Sequence, residues 1–238
     1  MQQNRFWEID FFRGLAVFLM IIYHFIFDLN YFNFISINMY SGFLGILQKF
    51  IAITFISLVG ISLSLSSKAK SKKQNFKRGL LIFSLGLILT LLSYIFVKES
   101  VIYFGILHLI GISIIISIPF LKYFKLNLFL GILVLIFNKF ISSISVNYKW
   151  LIPIGIRYPN FKTLDYFPLI PWFALVLFGI FIGKILYDEN RKFKFINEPK
   201  IFIINIFKFL SKNSLTIYFL YSSFSHCTFA FLLKILLV

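Results

Sequence analysis

The stretch "EIDFFRGLAVFLMIIYHFIFDLN", residues 8–30, decides how this chain is read. A membrane-crossing helix needs about 20 mainly apolar residues, and this run supplies them. Yet Asp10, Arg13, His24 and Asp28 are set into it. An α-helix rises about 1.5 Å and turns about 100° per residue, so Arg13 and His24 are about 16 Å apart in depth and within roughly 20° in direction. Asp10 and Asp28 fall in the same sector, roughly 60° wide. A charge at bilayer depth costs about 3 kcal/mol or more, so this shared face should line a protein interior or wet cavity. Anchoring at the two interfaces would by itself account for Asp10, Arg13 and Asp28. His24 is harder to explain that way, because its short side chain does not easily reach an interface.

The rest of the chain repeats the pattern. Of 238 residues, 60% are apolar, 21% aromatic and only 13% charged, well below the charged share of soluble domains. Apolar runs recur near 9–28, 43–66, 79–97, 101–119, 125–141, 167–187 and 208–236. The expected fold is therefore all-α: a polytopic membrane helical bundle of about seven transmembrane helices, forming one domain over 1–238. The last run is long enough to tilt or to begin as a helix lying at the interface. Continuous rather than alternating apolar runs disfavour a β-barrel. The first span carries polar groups and no small-residue cleavage site follows it, so it is expected to remain in the mature protein.

Lys and Arg number 24 against 8 Asp and Glu, a formal charge of +16. The basic residues stand in short loops, which points to topology and anionic lipid rather than nucleic acid. The densest run, "KAKSKKQNFKR", lies between the second and third spans and is expected to face the cytoplasm. Alternation then makes the N-terminus cytoplasmic. It also places His24, His108, His226, Asp28 and Asp165 in the outer half of the membrane. A histidine there can deprotonate an amine or hydroxyl at neutral pH, and a nearby carboxylate can orient its ring. The three histidines come from separate spans without ligand spacing, and the single cysteine, Cys227, excludes a Cys-based metal site, so no metal is assigned. No phosphate-binding glycine loop or nucleophile elbow is present; Gly60, Gly86, Gly105, Gly111 and Gly179 suit close helix packing.

Six segments in order carry a resemblance: "EIDFFRGLAVFLMIIYHFIFDLNYF", "GISLSLS", "KRGLLIFSLGLILT", "YFGILHLIGIS", "LDYFPLIPWF" and "NSLTIYFLY". Together they resemble small prokaryotic membrane proteins related to the catalytic domain of heparan-α-glucosaminide N-acetyltransferase. The spacing of Arg13 and His24 also looks like the arginine-to-histidine signature of the wider transmembrane acyltransferase superfamily. The resemblance implies an integral protein of a prokaryotic cell membrane that moves an acetyl group from cytosolic acetyl-CoA to an amino sugar or hydroxyl of an extracytoplasmic glycan. It implies His24 as base or transient acetyl carrier, with Asp28, His108 and Asp165 beside it at the acceptor end. Arg13 would help hold the donor, and Lys77 and Arg78 would meet its phosphates, although topology alone explains that basic loop equally well. A homo-oligomer is compatible with this reading.

At one place the sequence departs from the pattern. Where relatives tend to carry a histidine followed by Gln-Pro, this chain has Tyr221-Ser222-Ser223. His226 lies about 140° further round a helix from Tyr221 and is no simple substitute. Two readings from other classes stay open at this stage. A proton-coupled small-solute transporter would also use intramembrane Asp and His, and a non-catalytic membrane module would tolerate the change at Tyr221.

Overall fold

The computed structural model describes residues 6–31, 33–96, 101–156, 158–159, 161–187 and 202–222. The described residues form, in order, α1 (Trp7–Tyr31), α2 (Gly42–Ala69), α3 (Lys72–Phe96), α4 (Ile106–Ser117), α5 (Phe124–Ile141), α6 (Leu169–Tyr187) and α7 (Phe202–Lys212). The chain is helical again over 214–222 after a turn at Asn213. Among the described residues there is no strand, and one isolated bridge pairs Phe104 with Tyr166.

Among the described residues four stretches are long and apolar enough to cross a membrane: Trp7–Tyr31, Gly42–Ser67, Lys72–Phe96 and Leu169–Tyr187. The sequence leads one to expect seven. The fourth expected span begins five residues late, because 101–105 is non-helical and α4 starts only at Ile106. It also ends early: Pro119 follows Ser117 closely and converts Ile118–Lys122 into a 3-10 turn. A proline lacks the N–H that would continue the α-helical ladder. The seventh expected span is interrupted at Asn213, and its part beyond 222, with His226 and Cys227, lies outside the described residues.

The chain divides into two compact units, one of residues 1–55 with 194–238 and the other of 56–193. In the first unit α1 and α7 pack together, and what permits it is Gly14. A β-carbon at that position would run into the backbone carbonyl of Phe207, so only glycine lets the two backbones approach so closely. The Phe207 ring then sits edge-on to Phe11 at 5.0 Å and to Phe18 at 6.1 Å. Nearer the Tyr31 end, buried Met20, Tyr23, Met39 and Ile51 form an apolar cluster that Ile217 and Tyr218 join.

The second unit is a helical stack built on small residues. The C-terminal half of α2 meets α6 where Gly60 and Gly179 face each other, backbone to backbone. The α3–α4 pair closes in the same way through Gly79, Gly86 and Gly111. Without a hydrophobic drive between lipid-solvated helices, such close contact is what holds them. Fully buried Leu109, Ile114, Val176, Leu177 and Ile180 fill the space between.

Candidate functional site

The polar face of α1 resolves into two stations within the first unit. At the Trp7 end Asp10 is buried, with 7% of its surface exposed. Its Oδ1 accepts from Arg13 Nη1 at 3.3 Å and from Ser211 Oγ at 3.0 Å. Arg13 Nη1 also lies 3.3 Å from Ser211 Oγ, closing a triangle that ties α1 to α7. The pair Asp10 and Arg13 sits one turn apart, and the carboxylate neutralises much of the guanidinium charge.

The second station stands one to two turns from the Tyr31 end. The His24 ring lies 5.8 Å from the Tyr221 ring, inclined at 47°. The Tyr221 hydroxyl donates to Asp28 Oδ2 at 3.3 Å. His24 and Asp28 are one helical turn apart, so both meet the same tyrosine from one face of α1. Tyr23, the neighbour of His24, is buried and donates to the carbonyl of Met39 at 3.4 Å. That bond and the apolar cluster around Tyr23 fix the rotation of α1 here.

His108 and Asp165 are in the second unit, and they serve one helix start. His108 is the third residue of α4 and is 2% exposed. Its Nδ1 accepts from the backbone N–H of Gly105 at 3.2 Å, so the ring proton of the neutral imidazole is on Nε2. Nε2 then donates to Thr90 Oγ1 at 3.3 Å, and the threonine hydroxyl passes the chain on to the Ile102 carbonyl at 2.7 Å. Both ring nitrogens are thereby committed. Asp165 Oδ2 accepts from the N–H of Ile106 at 2.9 Å, a carboxylate on the first turn of α4 where the helix dipole favours it. Gly105 is required at this junction, since a β-carbon there would collide with the Asp165 carboxylate. Phe167 N–H to Phe104 carbonyl, at 2.9 Å, binds the two motifs together.

Lys77 is exposed and Arg78 half-buried, both in the second turn of α3. Beside them Asn75, 1% exposed, accepts from Ser66 Oγ at 3.2 Å, which joins the ends of α2 and α3 under the basic loop. Among the described residues no group of histidine, cysteine or carboxylate side chains could hold a metal ion.

Within each unit the sequence-predicted residues fall into pairs. Arg13 is with Asp10, and His24 with Asp28. His108 and Asp165 share the start of α4. Sequence reasoning passed over Ser211, Thr90 and the use of Tyr221. Thr90 had a signal: Gly79, Gly86 and Ser93 recur every seven residues on α3 and Thr90 continues that small-residue face. Ser211 had none, because the break at Asn213 obscures its register with the helix that follows.

Comparison with curated proteins and comparison with solved structures return no match. A family model described as "Heparan-alpha-glucosaminide N-acetyltransferase, catalytic" matches residues 5–223. That range takes in both stations of α1, the α4 junction and Tyr221. With four membrane-length apolar helices among the described residues and a match over 5–223, this chain belongs to the heparan-alpha-glucosaminide N-acetyltransferase catalytic family.

Proposed function

We propose that the protein transfers an acetyl group from cytosolic acetyl-CoA to an amine or hydroxyl of an extracytoplasmic glycan, with His24 as the reacting imidazole. The observation that carries this reading is that His24 and Asp28 both meet Tyr221 at one station of α1, with His24 eleven residues from Arg13 on the same helix face. With the N-terminus in the cytoplasm, as the basic loops suggest, the Arg13 station is on the donor side and the His24 station on the acceptor side.

Acetyl-CoA supplies an activated thioester and phosphates that need cationic partners. Lys77 and Arg78 suit those phosphates, being cationic and at least partly open. Arg13 suits them less well, because Asp10 and Ser211 already engage its Nη1. Arg13 is better assigned to holding α1 against α7 at the donor side.

His24 takes the proton of the acceptor N–H or O–H as that atom bonds to the acetyl carbon, and the carbon–sulfur bond breaks. The proton then passes to the departing thiolate. In the two-step variant the His24 nitrogen bonds to the acetyl carbon as the carbon–sulfur bond breaks and the thiolate leaves. The acceptor nitrogen or oxygen then bonds to that carbon, the carbon–imidazole bond breaks, and the freed imidazole takes the acceptor proton. Asp28 orients the ring and offsets its positive charge in either route. His108 and Asp165 are assigned a positioning role: they fix the start of α4, and neither nitrogen of His108 is open for proton exchange.

The test is to incubate membranes holding the native chain or His24→Ala with labelled acetyl-CoA and a panel of amino sugars and hydroxyl-bearing glycans. Label on an acceptor with the native chain, reduced about a hundredfold or more by the substitution, is the expected outcome. Equal transfer by correctly inserted His24→Ala would remove His24 from the reaction.

A further inference from the structure

Tyr221 occupies a place that composition does not explain. An apolar side chain would satisfy a lipid-facing helix, and a structural tyrosine would send its hydroxyl to a backbone carbonyl, as Tyr23 and Tyr166 both do. Tyr221 instead sends its hydroxyl to a carboxylate, Asp28, while its ring lies beside His24. One rigid side chain therefore touches both members of the proposed acid–base pair. It has two side-chain torsions, so little freedom is lost in holding them.

The chain reaches this arrangement from outside α1. Ser211 meets Asp10 and Arg13 at one station and Tyr221 meets His24 and Asp28 at the other, ten residues later. The stretch 211–221, α7 and the helix that follows the turn at Asn213, thus closes both ends of the polar face. Ile217 and Tyr218, between them, are packed into the Met20–Tyr23 cluster and hold the segment in register. An error in that register would move Tyr221 off its partners.

We infer that Tyr221 is the positioning residue of the reacting pair: its hydroxyl fixes Asp28 and its ring fixes the plane of His24, so that the carboxylate and imidazole meet the acceptor in one orientation. This rests on the acetyltransferase reading for its role, and on geometry alone for the contact. The substitution Tyr221→Phe keeps the ring and removes the hydroxyl. It should lower kcat about tenfold and leave the KM for acetyl-CoA unchanged, since a displaced catalytic group costs rate rather than donor binding. The double variant Tyr221→Phe/Asp28→Asn should be no slower than Asp28→Asn alone, because the hydroxyl acts through that carboxylate.

A second arm needs no acceptor. Diethyl pyrocarbonate acylates neutral imidazole, and mass spectrometry of the purified full chain reads the rate at His24. Releasing Asp28 and the His24 ring changes how the imidazole is presented, so Tyr221→Phe should change the rate of His24 modification about threefold, Asp28→Asn in the same direction, and the double variant no further. Unchanged rates in this arm, or additive losses in the cycle, would overturn the inference. Absence of acetyl transfer by the native chain while Tyr221→Phe still changes the modification rate at His24 would overturn the enzymatic reading and leave the positioning contact standing.

Discussion

Arg13 shows how an ionised side chain in an apolar segment becomes a fastener. Its charge is met by buried Asp10 one turn away and both are joined to Ser211 of α7, so the cost of burial is shared across two helices. Removing one partner should do more harm than removing both. Asp10→Ala leaves Arg13 without its main counter-charge and should destabilise by about 3 kcal/mol; Asp10→Ala/Arg13→Ala should cost less than that, read as thermal unfolding in detergent. His108 makes the complementary point. Its neutral ring bridges the Gly105 N–H and Thr90, so His108→Ala should cost about 3 kcal/mol through lost packing and an unpaired backbone donor. Any surviving transfer should keep the native shape of its pH–rate profile; a lost limb would return His108 to proton exchange. Neither role was legible in the sequence. A histidine in "GILHLIG" beside a distant aspartate looks like a catalytic pair, and only the chain reversal that brings 165–167 against 104–106 shows both to be holding a helix start.

Helices were legible as apolar runs because lipid demands them; their ends were not. The start of α4 is set by the contact between the Asp165 carboxylate and the first turn, a pairing 59 residues apart that no local window contains. The α1–α7 pair depends on Gly14 in a similar way. Gly14→Ala places a methyl against the Phe207 carbonyl and should destabilise by about 2 kcal/mol, whereas Ala16→Gly nearby removes only a small buried side chain. The segment before α6 offers a pH-dependent check. Tyr166 donates to the Ile152 carbonyl at 2.8 Å, and burial pushes its phenol up to about 12. The folded state holds this proton more tightly than the unfolded chain, so the contribution is whole below about pH 10 and is lost as pH rises through about 12. Tyr166→Phe should be about 1 kcal/mol less stable at neutral pH and should lack that alkaline decline; an identical decline in both chains would place the titrating group elsewhere.

The chain belongs to a membrane acetyltransferase family, and its polar residues are drawn to a few stations in an apolar scaffold. Its class could be read from hydropathy and its family from the ordered motifs, because both are written in long segments. The helix ends could not, because Gly105, Pro119 and Asn213 alter them without altering hydropathy. Orientation is open to direct measurement: in a Cys227→Ser background, single cysteines at Lys72 or Lys73 should react with an impermeant maleimide only from the cytoplasmic side. The central claim is that α1 carries the reaction from a donor side to His24 on the other. Sealed inside-out vesicles with labelled acetyl-CoA outside and a glycan acceptor trapped within test it most directly. Acetylated acceptor accumulating in the lumen with the native chain, and abolished by His24→Ala, is the predicted result. Acetylation only of acceptor added on the same side as the donor, or lumenal product undiminished by His24→Ala, would contradict it.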